Sequence, residues 1–338
     1  MKNSTRLFWY FFLAILLSSA DMRASDKPVW LSNVPPAHLK KSVSSYGMHR
    51  LCTTKRKRGE RGAIKVIQWV REGASVQHAR YLFLSDTAAY RTFVFSPHKK
   101  KVRSKVMNIK GKSVVEYVDN EEGYYNVYLV IKRVSGDTLY VDVAKAELLS
   151  HSCRNGHKNV RKAVKPKIYP EVIPFEIVRE RHLNENFHFF IASGDRFTYK
   201  PVLNGKPVPG IPVTLCTEKG WCNKEKTDKT GGAEFQFIQD YFTDWSEINH
   251  RKIYYYLIYS EFTIDKSGKF QGQDYRYVHY STSLSDGYFP SRTMYTSLVW
   301  SLIVFVVSLI VIVAGIAIFR ERRKKPYKEY IFDEDKDE

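Results

Sequence analysis

His151, Cys153 and His157 form an H-x-C-x3-H cluster, three side chains of metal-ligating type at a local spacing that suits a tetrahedral divalent site. His151 and His157 are the candidate ligands, because an oxidised Cys153 has no thiolate to offer. A divalent metal is the one cofactor this pattern admits. Asp240, Asp244 and Glu247 fall on one side of a helical turn and could also hold a divalent cation, although a short amphipathic connector produces the same pattern. Two basic runs could hold an anion: Lys55, Arg56, Lys57 and Arg58, then Lys99, Lys100, Lys101, Arg103 and Lys105. No aromatic residue interleaves with either run, which removes the stacking platform that single-stranded nucleic acid needs. The sequence contains no nucleophile with a convincing base, no phosphate-binding glycine loop and no HExxH, so a binding role is expected over an enzyme.

The compartment decides how the cysteines are read. Residues 293–319 carry no charge, and RERRKK at 320–325 follows directly. Thr296–Phe319 would make a helix of about 36 Å, enough to cross a hydrocarbon core of about 30 Å. The basic run after it marks the cytoplasmic side. At the other end, Lys2 and Arg6 precede the apolar Leu7–Leu17, and Ser18-Ser19-Ala20 offers a cleavage site, so residues 1–20 read as a signal peptide. The expected protein crosses the membrane once, with its N-terminus in the bacterial periplasm or at the cell surface and the 320–338 tail in the cytoplasm. Four cysteines in an oxidising compartment point to disulfides. Cys216 and Cys222 flank Gly220-Trp221 and suit a hairpin end; Cys52 and Cys153 would then pair, with the other connectivities open.

The elements that must position these groups are strands. Ala63–Val70, Tyr81–Leu84, Thr92–Phe95, Ser113–Val118, Tyr124–Val134 and Thr138–Val143 alternate or are rich in β-branched and aromatic residues. A short helix is expected at Ala144–Ser150. Residues 154–174 are basic and carry Pro166, Pro170 and Pro174, a linker composition. The charge changes there too: residues 21–170 have 30 Lys+Arg against 12 Asp+Glu, and residues 171–293 have 15 against 16. The expected layout is a basic β-rich domain at 21–165, a linker at 166–173, an Ig-like or transthyretin-like sandwich at 174–293, a transmembrane helix at 294–319 and the tail. The second half contributes Pro174–Val178, Phe187–Ala192, Phe197–Leu203, Ile211–Cys216, Ala233–Ile238, Ile253–Ile264 and Tyr275–Tyr280, with 281–293 as a tether. The fold class is all-β with two sandwich-like domains and one C-terminal helix. Tyr254, Tyr255, Tyr256 and Tyr259 fall on both faces of one strand, as in a sandwich core rather than a sugar platform.

Residues 195–238 carry a further pattern: DRFTYKPVLNGKPVPGIPVTL, then TDKTGGAEFQF. Through Asn204, Gly205, Lys206, Pro207, Val208, Gly210, Val213, Thr227, Asp228, Gly231 and Phe235 it resembles exported β-sandwich modules of the transthyretin-like and carboxypeptidase-regulatory-like folds. It is also similar to a bacterial periplasmic domain family of unknown function linked to nickel and cobalt uptake transporters. The resemblance covers about 45 residues and implies a β-sandwich and an accessory role in divalent-metal uptake, in complex with a transporter. That family places histidines near the mature N-terminus, whereas the first histidine after Asp21 here is His38. The leading expectation is an exported, membrane-anchored, non-enzymatic binding or scaffold protein, with metal uptake as its finer form. The alternative is a surface receptor or adhesion protein that binds an acidic protein, a glycan or anionic lipid through its basic half, and the second alternative is an envelope enzyme. Nucleic acid is not an expected partner outside the membrane.

Overall fold

The structure, a computed structural model, describes residues 27–39, 50–52, 64–85, 89–119, 121–151, 165–182, 185, 189–238 and 253–324. Among the described residues, the chain before its C-terminal helix is built of strands, apart from one 3-10 turn at Ala37–Leu39. Its first stretch contains β1 (Val29–Ser32), β2 (Arg50–Cys52), β3 (Ile64–Glu72), β4 (Arg80–Tyr81) and β5 (Tyr90–Phe95). It continues with β6 (Lys101–Val102), β7 (Ser104–Ile109), β8 (Lys112–Asp119), β9 (Gly123–Ser135) and β10 (Thr138–His151). The second stretch contains β11 (Phe175–Arg179), β12 (Arg196–Leu203), β13 (Lys206–Pro207), β14 (Pro212–Thr217) and β15 (Cys222–Lys226). β16 (Ala233–Gln236), β17 (Tyr254–Phe270), β18 (Gln273–Tyr288) and α1 (Arg292–Arg323) complete it.

One nine-stranded sheet organises the molecule, in the order β15-β14-β17-β18-β10-β9-β5-β6, with β2 also on β10. Its middle is a parallel ladder, β10 on β18, from Thr138↔Tyr277 to Ala146↔Ser285. Side chains alternate across a strand, so β10 serves two cores. Ala144, Ala146 and Leu148 face a sheet of β1, β3, β8 and β7, packing with Leu31, Val66, Val70, Val115 and Tyr117. Val141 and Val143 face the other way, into a core with Tyr169, Ile173, Phe175 and Tyr280. On that side a sheet of β11, β12, β13 and β16 packs Ile177, Phe197, Tyr199 and Phe235 against Val213, Leu215, Tyr256 and Ile258 of the central sheet.

Several sequence expectations change here. Each half of the chain has a sheet of its own, β1-β3-β8-β7 before residue 166 and β11-β12-β13 with β16 after 173, but the nine-stranded sheet draws on both through the β10–β18 ladder, and residues 27–238 and 253–289 lie within one compact unit. Ala144–Ser150 is not a helix but part of β10. Alanine, lysine, glutamate and leucine favour a helix locally, yet burial on both faces decides the strand. Residues 281–288 are not a tether; they form the end of β18, paired with both β17 and β10. The basic run Lys99–Lys105 spans a turn and two strands, since Lys101–Val102 is β6 and β7 begins at Ser104. Phe189–Ile191 lies outside any strand, and Ala192 makes a single bridge to Phe289. Tyr254 and Tyr256 enter one core while Tyr255 and Tyr259 pack beside Trp30 and Leu257 in another, so the tyrosine run builds both faces of β17.

The C-terminal unit contains α1, whose Val299–Arg323 stretch holds an 18-residue window of mean hydropathy 3.3 and is long and apolar enough to cross a membrane. Its last turn carries Arg320, Arg322 and Arg323.

Candidate functional site

A cleft of about 430 Å³ opens on the face of the central sheet that carries the Tyr169 core. Its floor comes from β5 and β9. In the antiparallel register Arg91 lies opposite Val130 and Phe93 opposite Tyr128, so Arg91, Phe93, Val130 and Lys132 share one face. Its wall is the turn at Pro170–Pro174, with Asn204 from the β12–β13 hairpin and Phe270 from the end of β17. The wall is held by its own chemistry. Tyr169 stacks on Phe95 with ring centroids 3.7 Å apart, and its carbonyl accepts from the amides of Val172 and Ile173. The Asn204 amide donates to the Pro174 carbonyl at 2.8 Å. Asn204 and Gly205 have φ of 47° and 82°, the two-residue turn that Asn-Gly favours. A Cβ at Gly205 would approach Pro170 to 3.1 Å, so glycine lets the hairpin sit on the proline turn.

The charges of this cleft are unbalanced. Lys132 is half-buried, and its pKa is lowered by burial first and then by Arg91 and Lys266. Among the described residues, neither Arg91 nor Lys132 has a carboxylate within ion-pair distance. Glu171 is the acidic side chain among the lining residues, and it is exposed at the rim. Nearby, the Lys101 ammonium lies 5.3 Å from the Phe93 ring centroid. Lys167 donates to the Pro97 carbonyl, and burial and then Lys99 lower its pKa.

Further along the same sheet face the opposite arrangement holds. Lys145 is fully buried, 2.8 Å from Glu176 and 3.1 Å from Glu147, and donates to the Ile177 carbonyl at 3.0 Å. Glu147 also pairs with Arg181, which meets Glu185 at 2.7 Å, and Glu185 holds Arg179 through two hydrogen bonds of 3.0 and 2.6 Å. Tyr128 donates to Glu176 at 2.8 Å. Three cations meet three carboxylates, and buried charges so paired are structural. Burial would raise the Glu147 pKa, but Lys145, Arg181 and Arg179 outweigh it and hold it at about 2. Burial would lower that of Lys145, yet Glu176 and Glu147 raise it.

The sequence candidates fare unevenly. Lys99 and Lys100 lie exposed in the turn before β6, Lys101 is exposed on β6, and Arg103 is exposed between β6 and β7. Lys105 is an ion-pair partner of Glu116 at 3.3 Å. Lys55, Arg56, Lys57 and Arg58 lie outside the described residues, as do His157, Cys153, Asp240, Asp244, Glu247 and the signal segment 1–20. His151 ends β10 with its backbone opposite Cys52, and neither side chain is described. Among the described residues no three His, Cys, Asp or Glu side chains gather as a metal site. Cys216 and Cys222 are directly opposed on β14 and β15 and form a disulfide, with Cα atoms 4.1 Å apart. Arg91 and Lys132 carry little signal in the sequence: Arg91 is one exposed cation near the start of YRTFVF, and Lys132 is half of the Lys132-Arg133 pair that closes an apolar strand; a charge in phase with Phe93 and Val130 was the available clue.

The chain matches no known protein family and none of the curated proteins. Among solved structures, it is similar to the D0–D1 domains of intimin at 11% identity, covering 66% of this chain and 90% of that one, with a TM-score of 0.20. The BSP domain of a biofilm-associated protein is 9% identical over 66% of this chain and 27% of its own, with a TM-score of 0.17. A bacterial ice-binding adhesin is 6% identical over 68% of this chain and 58% of its own, at 0.19.

Proposed function

We propose that this protein is an exported, membrane-anchored binding protein that takes an acidic ligand into the cleft between β5, β9 and the Pro170–Pro174 turn. The observation that carries this reading is the contrast along one sheet face. Lys145 is matched by carboxylates, whereas Arg91 and Lys132 repel each other without one. A half-buried cation beside like charges is stabilised by an incoming anion, and a concave cleft with apolar walls is the form of a small-ligand site. The disulfide supports an oxidising compartment, and α1 supports a single membrane anchor followed by a basic cytoplasmic flank. In this reading the exposed Lys99, Lys100, Lys101 and Arg103 raise the on-rate for acidic partners. Divalent-metal uptake draws no support from the described residues.

The test is binding of the full chain, in detergent, to acidic and neutral polymers at increasing salt. Affinity for the acidic polymer should fall with ionic strength and drop about tenfold in Arg91→Ala and in Lys132→Ala. Salt-independent binding unaffected by either substitution would remove the cleft from the function.

A further inference from the structure

We infer that the anion the cleft receives is the carboxylate of a sugar residue, so that the ligand is an acidic glycan built from uronic acids. This rests on the reading of the cleft as an anion site and adds the chemistry of the rest of the ligand. Arg91 and Lys132 on the floor can hold a carboxylate. The walls around them are apolar: Phe93 and Phe270 offer rings, and Pro170, Val172 and Pro174 offer aliphatic surface. A pyranose ring presents a C–H face of that kind while its hydroxyls point outward.

The rim then separates sugar from peptide. Glu171, ionised, only accepts hydrogen bonds, and Asn204 both donates and accepts. Sugar hydroxyls also do both, so they satisfy Glu171 as donors and Asn204 in either sense. An acidic peptide brings further carboxylates, which accept only and are repelled by Glu171. A flat anionic membrane surface would engage exposed cations but has no group to fill a cleft of about 430 Å³.

Three probes decide this: polygalacturonate, polyglutamate and phosphatidylglycerol vesicles, each offered to the full chain in detergent or nanodiscs. Polygalacturonate should bind, and monomeric galacturonate should displace it. Phe270→Ala and Glu171→Gln should each weaken that binding by about fivefold to tenfold; Glu171 is exposed, so its substitution leaves thermal stability unchanged, and Phe270→Leu, which keeps the packing of Phe270 on the Tyr169 core, should lose binding with little change in melting temperature. Glu171→Gln is the sharper probe: it removes a negative charge, so binding of a simple polyanion would strengthen. If polyglutamate or the vesicles bind at least as tightly, and Phe270→Ala changes nothing, the sugar inference is wrong and the anion site stands. If none of the three binds in a manner sensitive to Arg91→Ala, both readings fall.

Discussion

Lys145 shows what a single buried charge requires in this fold. Its ammonium is satisfied by Glu176, Glu147 and a backbone carbonyl, with no exposure to water. Lys145→Met would leave two buried carboxylates short of a cation, and unfolding should become easier by about 3–5 kcal/mol. Chemical denaturation measures this directly; a loss below about 1 kcal/mol would mean the network relaxes or admits water. The same cluster sets a pH dependence. The folded pKa of Glu147, about 2, lies below its ordinary value of 4.5, so its contribution is complete above about pH 4.5 and is lost as pH falls towards 2. The raised pKa of Lys145 acts at the other end: its contribution is present below its ordinary 10.5 and disappears as pH rises through the folded value. Thermal melts from pH 2 to 7 should show stability level near neutrality and falling only below about pH 4.5. A fall beginning near pH 6 would point instead to histidines.

The elements are secured at their turns, and these were the parts most open to reading. Asn204-Gly205 adopts a left-handed turn, and Asp228 closes the next one by accepting from Thr230 and Gly232. Thr227 donates to the Val208 carbonyl and accepts from the Ile211 amide. These motif residues therefore have structural work in the hairpins. Gly231→Ala should cost about 1–3 kcal/mol, because φ is 79° and a Cβ would meet Pro207 at 2.5 Å. Gly210→Ala, with φ of 75° but open space, should cost about 1 kcal/mol, and equal losses would show that sterics at Pro207 are irrelevant. Reduction of Cys216–Cys222, or its replacement by alanines, should cost about 2 kcal/mol for so short a loop, read as a shift in melting temperature. Strand identity was legible wherever one face met water, as in β12 and β16. It was not legible at 144–150, where an ionic cluster replaces the apolar half of the alternation. The cleft was least legible of all, because Arg91, Lys132, Asn204 and Phe270 lie on four segments that only the tertiary fold brings together.

At the scale of the molecule, the charge step near residue 170 suggested two domains, and the sheet order joins them. β10 pairs on one side with β9, its neighbour in sequence, and on the other with β18, the last strand. A fragment ending near residue 165 leaves the long edge of β10 unpaired and the Val141–Val143 core uncovered. Expressed alone, residues 27–165 should aggregate or give a poorly dispersed NMR spectrum. A monomeric, well-dispersed fragment would show that the first half folds on its own.

The earliest strand is also bound by the latest. Ser283 and Ser285 of β18 donate to the carbonyls of Val29 and Leu31 on β1, across a sequence separation of 254. β18 ends at Tyr288, and the apolar helix begins at Arg292. At a synthesis rate of about 5–20 residues per second, β1 waits on the order of tens of seconds for its hydrogen-bond acceptors to be filled. Loops this long close slowly, so the central sheet can finish only when the helix itself is arriving. Completion of the central sheet and arrival of the apolar helix thus fall within the same moment of the chain's history.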